Sequence, residues 1–287
     1  MDIKITKMQG CGNDFVILDY EEYQKGLEIS KWKDMADAAV KLCNRNFGIG
    51  ADGLIIPNTN TKDTDIGWFF YNSDGSTAQM CGNGIRCFAK YVYDKKLINK
   101  PEFTVNTLAG TITPKLTDDG NVRVNMSKPI LIPEKIPFVP NNNLNYKICV
   151  KNEIFSGNAI SMGNPHFVIF VGEDKNILEL AKEYGPIIET SAEFPEKTNV
   201  EFVKIRSYNK IELRVWERGC GITQACGTGA CAAVAAGILN GFVEHSVDVE
   251  LLGGTVHIDW EGSKENPQKD IFMTGPAEYV FDAELRF

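Results

Sequence analysis

The chain has 287 residues, of which 43% are hydrophobic and 24% charged, and its formal net charge at pH 7 is −8. This composition is typical of a globular protein that is long enough for two ordinary domains. The negative charge disfavours nucleic acids and anionic membranes as partners, because both select basic surfaces.

The N-terminal residues do not combine a basic segment with an apolar run, so we expect no signal peptide. No apolar run approaches the length of a membrane span. A chain of this size does not need disulfides for stability, so its eight cysteines are expected to be reduced thiols. These features together predict a cytoplasmic protein.

In chain order, the first half is predicted to alternate short strands with two helices. Apolar residues at helical spacing predict helices over 30–43, with Ser30 as the cap, and over 84–94. Runs that alternate in polarity or are rich in β-branched and aromatic residues predict strands at 3–8, 15–19, 54–57, 66–72, 103–106, 111–116 and 122–126.

The second half is predicted to repeat this scheme after a linker at 127–145, which is rich in proline and asparagine. Helices are predicted at 176–184 and 229–240. Strands are predicted at 159–162, 167–171, 199–207, 210–215, 246–251, 255–259, 271–275 and 277–282. The pattern therefore indicates a mixed α/β (α+β) fold class.

Two cysteine motifs look like copies of each other. They are Met80-Cys81-Gly-Asn-Gly and Ala225-Cys226-Gly-Thr-Gly, and each opens a stretch rich in small residues. Asn72 precedes the first cysteine by nine residues, and Glu217 precedes the second by nine. Further upstream, Gly12-Asn13 matches Gly163-Asn164. Landmarks that recur in the same order at similar spacing indicate an internal duplication.

The duplication predicts two pseudo-symmetric halves. We place them at 1–127, with the first cysteine, and 128–274, with the second. The C-terminal strand at 275–287 is predicted to pack back on the first half.

The two cysteines suit acid/base chemistry. The unpaired N–H groups and the dipole at a helix start favour negative charge, so we expect the thiol pKa to be lowered there. One thiolate can remove a proton from one face of a carbon while a second thiol delivers a proton to the other face. The alternative is structural, since small residues such as Ala230 and Cys231 pack closely in a helix whatever the function.

Other cysteine chemistry fits less well. Cys81 and Cys87, like Cys220 and Cys226, are too far apart for a CxxC zinc knuckle, and the three histidines have no paired spacing. A dithiol oxidoreductase usually carries CxxC, which is absent from the sequence. We therefore expect no metal site.

Polar residues near these motifs can recognise an amino acid. Arg218 can hold a carboxylate through two parallel hydrogen bonds, and Glu217 can accept from an ammonium group. The asparagines at 13, 72, 164 and 199 can line a polar substrate, and His166 is a candidate catalytic group. Exposed ion pairs, turn asparagines and a structural histidine are the ordinary alternatives.

Taken together, the motifs resemble those of the diaminopimelate epimerase family along the whole chain. The resemblance is carried by Gly12-Asn13-Asp-Phe, Gly48-Ile-Gly-Ala-Asp-Gly, Asn72-Ser-Asp-Gly-Ser, Met80-Cys81-Gly-Asn-Gly-Ile-Arg-Cys, Met162-Gly-Asn-Pro-His, Thr198-Asn-Val, Glu217-Arg-Gly and Ala225-Cys226-Gly-Thr-Gly. It implies two halves, each a β-barrel-like sheet around a central helix, with the active site in the cleft between them.

The resemblance also implies the reaction. LL-2,6-diaminopimelate, a small-molecule substrate, would be converted to the meso form without pyridoxal or any other cofactor, for lysine and peptidoglycan synthesis. A homodimer is left open.

The family's functional positions carry over as follows. Cys81 and Cys226 match the acid/base cysteines, and His166 and Glu217 are expected to tune them. The positions that match substrate-binding residues are Asn13, Asn72, Gly82, Asn83, Asn164, Asn199, Glu217, Arg218, Gly227 and Thr228. One departure is Gly53, where some members have glutamine.

Three alternatives stay open at this point. Proline and hydroxyproline racemases share the plan, but their first motif typically has histidine where this chain has Asn83, and they lack the Glu-Arg-Gly segment. Phenazine-type isomerases lack the cysteine pair. A catalytically silent amino-acid-binding protein would not need two thiols.

Overall fold

A computed structural model describes residues 2–286. Residue 1, which begins the first predicted half, and residue 287, which ends the predicted C-terminal strand, lie outside the described part. The chain divides into two compact units. One is formed by the residues up to Val124 together with those from Gly275 onward, and the other is Asn125–Thr274.

The first unit is built from short strands and three helices. In chain order they are β1 (Asp2–Gly10), β2 (Asn13–Ile17), α1 (Tyr20–Glu28), α2 (Met35–Cys43), β3 (Gly53–Asn58), β4 (Ile66–Asn72), α3 (Gly82–Asp94), β5 (Val105–Thr107), β6 (Gly110–Ile112), β7 (Lys115–Leu116) and β8 (Val122–Asn125). The C-terminal strand β18 (Glu278–Arg286) also belongs to this unit.

The second unit begins with a 3-10 turn at Pro133–Lys135. It continues with β9 (Tyr146–Val150), β10 (Glu153–Ser161), β11 (Pro165–Phe170), α4 (Ile177–Glu189), β12 (Asn199–Ser207), β13 (Lys210–Glu217), β14 (Gly221–Ile222), α5 (Gly227–Leu239), β15 (Ser246–Glu250), β16 (Thr255–Trp260) and β17 (Ile271–Gly275).

The two units repeat one strand topology. In the first, the sheet order is β18-β1-β2-β3-β4-β5-β6, and in the second the order runs β17-β16-β15-β13-β12-β11-β10-β9, with β14 beside β13. From β1 to β6 the pairs are antiparallel, parallel, antiparallel, parallel and antiparallel. The same alternation runs from β10 through β11, β12, β13 and β15 to β16. The predicted duplication and the mixed α+β class are confirmed.

The cysteine helices occupy equivalent places in this topology. Helix α3 connects the parallel strands β4 and β5, and α5 connects the parallel strands β13 and β15. Helix α3 contacts β1, β2 and β3, while α5 contacts β10 to β13 and β16. Small side chains let α5 lie this deep, since every residue from Ala230 to Ala236 is fully buried. Each sheet thus has one central helix.

The predicted helix over 30–43 is wrong at its start. Residues 20–28 form a separate helix, α1, and Ser30 follows it with a φ of 55°, in the left-handed region. Helix α2 is capped by Asp34, whose carboxylate accepts from the N–H of Asp37 at 2.8 Å. The chain therefore turns at Ser30 where the apolar spacing alone indicated a continuous helix.

Two features of the second unit also differ from expectation. The predicted helix at 176–184 continues through Pro186 to Glu189, because α4 packs along β12 and β13 and buries Ile188. The segment predicted as a linker is part of the core of this unit, since Ile136 and Phe138 are buried within it. Tertiary packing overrides the local proline signal at both places.

Among residues 2–286, no helix is both long and apolar enough to cross a membrane.

Candidate active site at the two cysteine helices

The two cysteines cap their helices with nearly the same geometry. Cys81 precedes α3 with φ −138° and ψ 121°, and Cys226 precedes α5 with φ −123° and ψ 106°. The sulfur accepts from the N–H of Gly84 at 3.4 Å in the first unit and of Gly229 at 3.4 Å in the second. Each helix is 13 residues long. The two cysteine motifs are therefore repeated in local structure as well as in sequence.

Each cysteine is followed by a glycine that begins its helix, Gly82 in α3 and Gly227 in α5. The first-turn N–H groups of a helix have no helical carbonyl to bond, and they can hold an anion when no side chain covers them. The backbone amides that follow Cys81 belong to Gly82 and Asn83, and those after Cys226 belong to Gly227 and Thr228. The predicted amide-binding positions thus lie in the first turns of α3 and α5.

Asn13 lies beside the first cysteine. Its side-chain oxygen accepts from the Cys81 sulfur at 3.5 Å and from the Asn83 amide at 3.2 Å. Its own amide donates to Asp52 at 2.6 Å. These contacts fix which way the Asn13 amide points. Three sequence-predicted positions therefore meet at this end of α3.

A charged network supports that asparagine. Arg45 donates to Asp14 at 2.9 Å and to Asp52 at 2.8 Å, and Lys7 pairs with Asp14 at 2.8 Å. Hydrogen bonds from Arg45 and Lys7 outweigh partial burial and lower the pKa of Asp14. Asp52 lies in one of the motifs that carry the family resemblance, but the sequence pattern predicted no role for this residue.

The first turn of α3 is also held by Arg86, which is fully buried. Its guanidinium donates to the carbonyl of Gly82 at 3.2 Å, to the side-chain oxygen of Asn83 at 3.0 Å and to the carbonyl of Pro276 at 3.1 Å. Arginine suits this place because its planar fork reaches several acceptors at once.

Asn72 ends β4 and forms a local turn. Its amide donates to the Ser76 hydroxyl at 3.0 Å, and its backbone N–H donates to the Ser76 carbonyl at 2.8 Å. Gly53 pairs with Asn72 across β3 and β4. A Cβ at Gly53 would lie 2.8 Å from the Phe70 ring, so this position has no room for the glutamine of some family members without repacking.

The second cysteine differs from the expectation of a low thiol pKa. Cys226 is only 5% exposed. Burial, followed by the charges of Glu217 and Glu201, raises its pKa well above the usual range. Hydrogen bonds from Thr228 and the Gly229 N–H act in the opposite direction but are smaller. The expectation was therefore wrong for Cys226, because burial and nearby carboxylates outweigh the helix start.

Glu217 ends β13 close to this thiol. Its carboxylate accepts from the Thr223 hydroxyl at 2.5 Å. Burial is the largest influence on this carboxyl and raises its pKa, although His166 and the Thr223 hydrogen bond lower it in part. Glu217 thus disfavours the Cys226 thiolate, whereas the hydrogen bond between the two side chains favours the ionised Glu217 carboxylate.

His166 is fully buried between two oxygen acceptors. Its Nδ1 lies 2.6 Å from a carboxylate oxygen of Glu201, and its Nε2 lies 3.0 Å from the side-chain oxygen of Asn164. The parallel pairing of β11 with β12 sets His166 opposite Asn199. Glu201 was not among the predicted site residues, although one acidic residue inside the apolar run of β12 was a usable signal.

Asn199 holds backbone around the site. Its amide donates to the carbonyl of Pro165 at 2.8 Å, and its oxygen accepts from the N–H of Arg218 at 2.9 Å. The Arg218 side chain is exposed and donates to the carbonyl of Glu196 at 3.0 Å. Asn199 is only 3% exposed, so these backbone contacts orient both Arg218 and the turn before His166.

The predicted residues fall into four contact groups, one of which pairs Asn199 with the backbone of Arg218. Asn13 and Asn83 surround Cys81, while Asn164 contacts His166. Glu217 and Thr228 act on Cys226. Asn72 makes its side-chain hydrogen bond within its own turn.

Comparison with known proteins agrees with this architecture. The sequence pattern of the family "Diaminopimelate epimerase" matches residues 5–132 and 158–280. The diaminopimelate epimerase of Halothermothrix orenii is 44% identical over 99% of this chain and 98% of its own length. That of Desulforapulum autotrophicum is 45% identical over 100% of both chains.

Solved structures share the fold at much lower identity. A hydroxyproline epimerase from Agrobacterium vitis, solved with trans-4-hydroxy-L-proline, superposes with a TM-score of 0.66 and 12% identity over 99% of this chain and 92% of its own. Because the family pattern and the full-length relatives agree, this chain belongs to the diaminopimelate epimerase family.

Proposed function

We propose that the protein converts LL-2,6-diaminopimelate to meso-diaminopimelate with Cys81 and Cys226 as the acid/base pair. One observation carries the proposal: in a member of this family, the two cysteines cap equivalent helices of a duplicated topology with the same local geometry. Such a pair supplies one thiol for each face of a carbon, which is what inversion requires.

The proton chemistry divides between the two thiols. One cysteine, as the thiolate, removes the α-proton, and the other, as the thiol, donates a proton to the opposite face. The reaction is proposed to need no metal or pyridoxal. The backbone amides of Gly82, Asn83, Gly227 and Thr228 would then hold the α-carboxylate and stabilise the charge that develops beside it.

Substrate binding would make the buried Cys226 thiol easier to ionise. Glu217 is proposed to accept a hydrogen bond from the substrate ammonium group, whose positive charge would offset that carboxylate. Because the Glu217 charge helps to raise the pKa of Cys226, this offset would make the thiolate more accessible only when substrate is bound. His166 is proposed to contribute through Glu217, since its charge acts on that carboxyl.

The second amino-acid end of diaminopimelate does not react and must be held. Arg218 suits its carboxylate because a guanidinium offers two parallel hydrogen bonds. The asparagines at 13, 72 and 164 would supply further polar contacts, while Asn199 would orient Arg218 through its backbone. This reaction would serve lysine and peptidoglycan precursor synthesis in the cytoplasm.

The proposal is tested in heavy water. Purified protein is incubated with LL-diaminopimelate in D2O, and the products are followed by chiral chromatography and mass spectrometry. We expect the first meso product to carry one deuterium, at the inverted α-carbon. As the LL and meso forms approach equilibrium, repeated turnover should bring a second deuterium into the other α-carbon. Parallel incubation with L-proline tests the racemase alternative, and faster racemisation of proline than epimerisation of diaminopimelate would overturn the assignment.

A further inference from the structure

Glu201 is a buried carboxylate with no role in the proposed proton transfer. It lies on β12 between Val200 and Phe202, and all three residues are 0% exposed. Burying a carboxylate is costly unless it is paired and hydrogen-bonded. Only one of its oxygens has a hydrogen-bond partner: within residues 2–286, the buried Oε2 has none. Because burying this carboxylate costs folding free energy, we looked for a role that it could have in the site.

Its partner is His166. The Glu201 carboxylate lies 2.6 Å from Nδ1, and both side chains are 0% exposed. On the other side of the ring, Nε2 lies 3.0 Å from the oxygen of Asn164. An oxygen acceptor at each ring nitrogen fits an imidazole that donates from both, which is the imidazolium form.

We infer that Glu201 is a positioning residue for the active site: its carboxylate holds His166 as the imidazolium, which in turn fixes the amide of Asn164. With its oxygen bonded to the ring, Asn164 is left to present its NH2 group to a substrate carboxylate. This inference rests on the proposed function for the identity of the substrate, but the state of the ring does not depend on it.

The helix start leaves room for this carboxylate. A Cβ at Gly229 would lie 2.9 Å from Oε1 of Glu201 and 3.3 Å from the Cys226 sulfur. The carboxylate therefore lies beside the first turn of α5, where the helix dipole favours negative charge. Because residue 229 is glycine, the Glu201 carboxylate can lie against the helix start, whether or not substrate is bound.

Two further ionisable groups act on this pair. Glu217 at the end of β13 interacts electrostatically with both His166 and Glu201, and Cys226 at the start of α5 interacts with Glu201. Both neighbours are acids. Without Glu201, His166 would lose its directly bonded counter-charge and would keep its electrostatic interaction with Glu217.

The ring state can be measured directly in the full chain by 15N-detected histidine NMR. His245 and His257 are replaced by glutamine in all samples, so that the remaining signals belong to His166. At pH 8 we expect imidazolium shifts for both ring nitrogens. With Glu201→Gln we expect the neutral His166 ring, with one protonated and one unprotonated nitrogen. Glu22→Gln, which removes another buried carboxylate in the first unit, should leave the imidazolium unchanged.

A neutral His166 ring at pH 8 in the Glu201-containing protein would overturn the inference, and this measurement stands even if Glu201→Gln does not fold. An imidazolium that persists in a folded Glu201→Gln variant would overturn it too.

Kinetics give the functional readout. In Glu201→Gln we expect KM for LL-diaminopimelate to rise about 10-fold with a smaller loss in kcat, because Asn164 is no longer fixed. The alkaline limb of the kcat/KM profile should move to lower pH, since loss of the directly bonded carboxylate disfavours the protonated ring. Equal kinetics and pH profiles for Glu201→Gln and Glu22→Gln would refute positioning. Failure of the proposed function would appear separately, as an inactive wild type with an imidazolium His166.

Discussion

At the residue scale, the two equivalent cysteines lie in different surroundings. Cys81 is half-buried and contacts the amide oxygen of Asn13. Cys226 is buried, and two carboxylates raise the pKa of its thiol further. A duplicated backbone thus carries two chemically distinct thiols, and we expect Cys226 to rest in the protonated form.

The first prediction concerns both thiols. Cys81→Ala and Cys226→Ala should each reduce epimerisation of LL-diaminopimelate to background, because each removes the only acid/base group proposed for one face. The fold should survive, since the lost cap bond to sulfur is long, at 3.4 Å, and a helix cap contributes about 1 kcal/mol. Turnover and urea unfolding are measured together, with Cys149→Ala on β9 as the control. Near-normal turnover in either variant would exclude a two-base mechanism.

The second prediction concerns the Glu217 charge. Burial, followed by the negative charge of Glu217, raises the pKa of the Cys226 thiol. Removing that negative charge in Glu217→Gln should therefore lower the thiol pKa. The pH dependence of iodoacetamide alkylation, read by peptide mapping, measures it. The exposed Cys149 serves as an internal control, and an unchanged midpoint for Cys226 would contradict the electrostatic account.

At the scale of elements, glycine allows β10 to pack closely on its neighbour. A Cβ at Gly157 would lie 2.2 Å from the Phe167 ring, and Phe167 is fully buried in the core of the second unit. Phe167 directly follows His166 on β11, so the packing of β10 helps to place the histidine. Strand β11, which carries His166, is thus held in place by a close contact between Gly157 and Phe167 that only glycine allows.

This contact gives the third prediction. Alanine usually stabilises a strand relative to glycine. Gly157→Ala should instead lower the free energy of unfolding by about 1–3 kcal/mol, because the methyl group overpacks the core. Urea unfolding measures the change. Ser156→Ala, at the exposed neighbouring position, should stay within about 0.5 kcal/mol of wild type. A Gly157→Ala protein at least as stable as wild type would show that Phe167 can move away freely.

At the scale of the whole molecule, the first unit is completed by the end of the chain. Strand β18 pairs with β1 from Asp2 to Gln9, and Ala283 and Leu285 pack against the core of that unit. The carbonyl of Pro276, just before β18, accepts from the buried Arg86. The first unit therefore depends on residues that follow the entire second unit in sequence.

The fourth prediction tests this dependence. A chain ending at Thr274 should lose protection from hydrogen exchange in β1 and β2, because β1 would become an unpaired edge and Arg86 would lose a carbonyl partner. Strands β10 to β13 should keep theirs, since they lie in the other unit. Exchange mass spectrometry compares the truncated and full chains. Unchanged protection of β1 would show that the first unit is stable without its last strand.

The sequence by itself determined the features that depend on local spacing. The bounds of β4, β12 and β17 follow from short runs of strand-forming residues, and the duplication follows from motifs repeated at similar intervals. The sites of Cys81 and Cys226 at two helix starts follow from glycines that cannot belong to a helix interior without cost. These are short-range effects, so the order of residues is enough to reveal them.

Only the tertiary structure decided what depends on neighbours distant in sequence. Helix α4 continues past Pro186 because it packs on β12 and β13. Glu201 meets His166 because β11 and β12 pair in parallel, across 35 residues of sequence. The raised pKa of Cys226 comes from burial and from carboxylates on other strands. Burial and charge act through space, so the same helix-start motif acquires a different thiol environment in each unit.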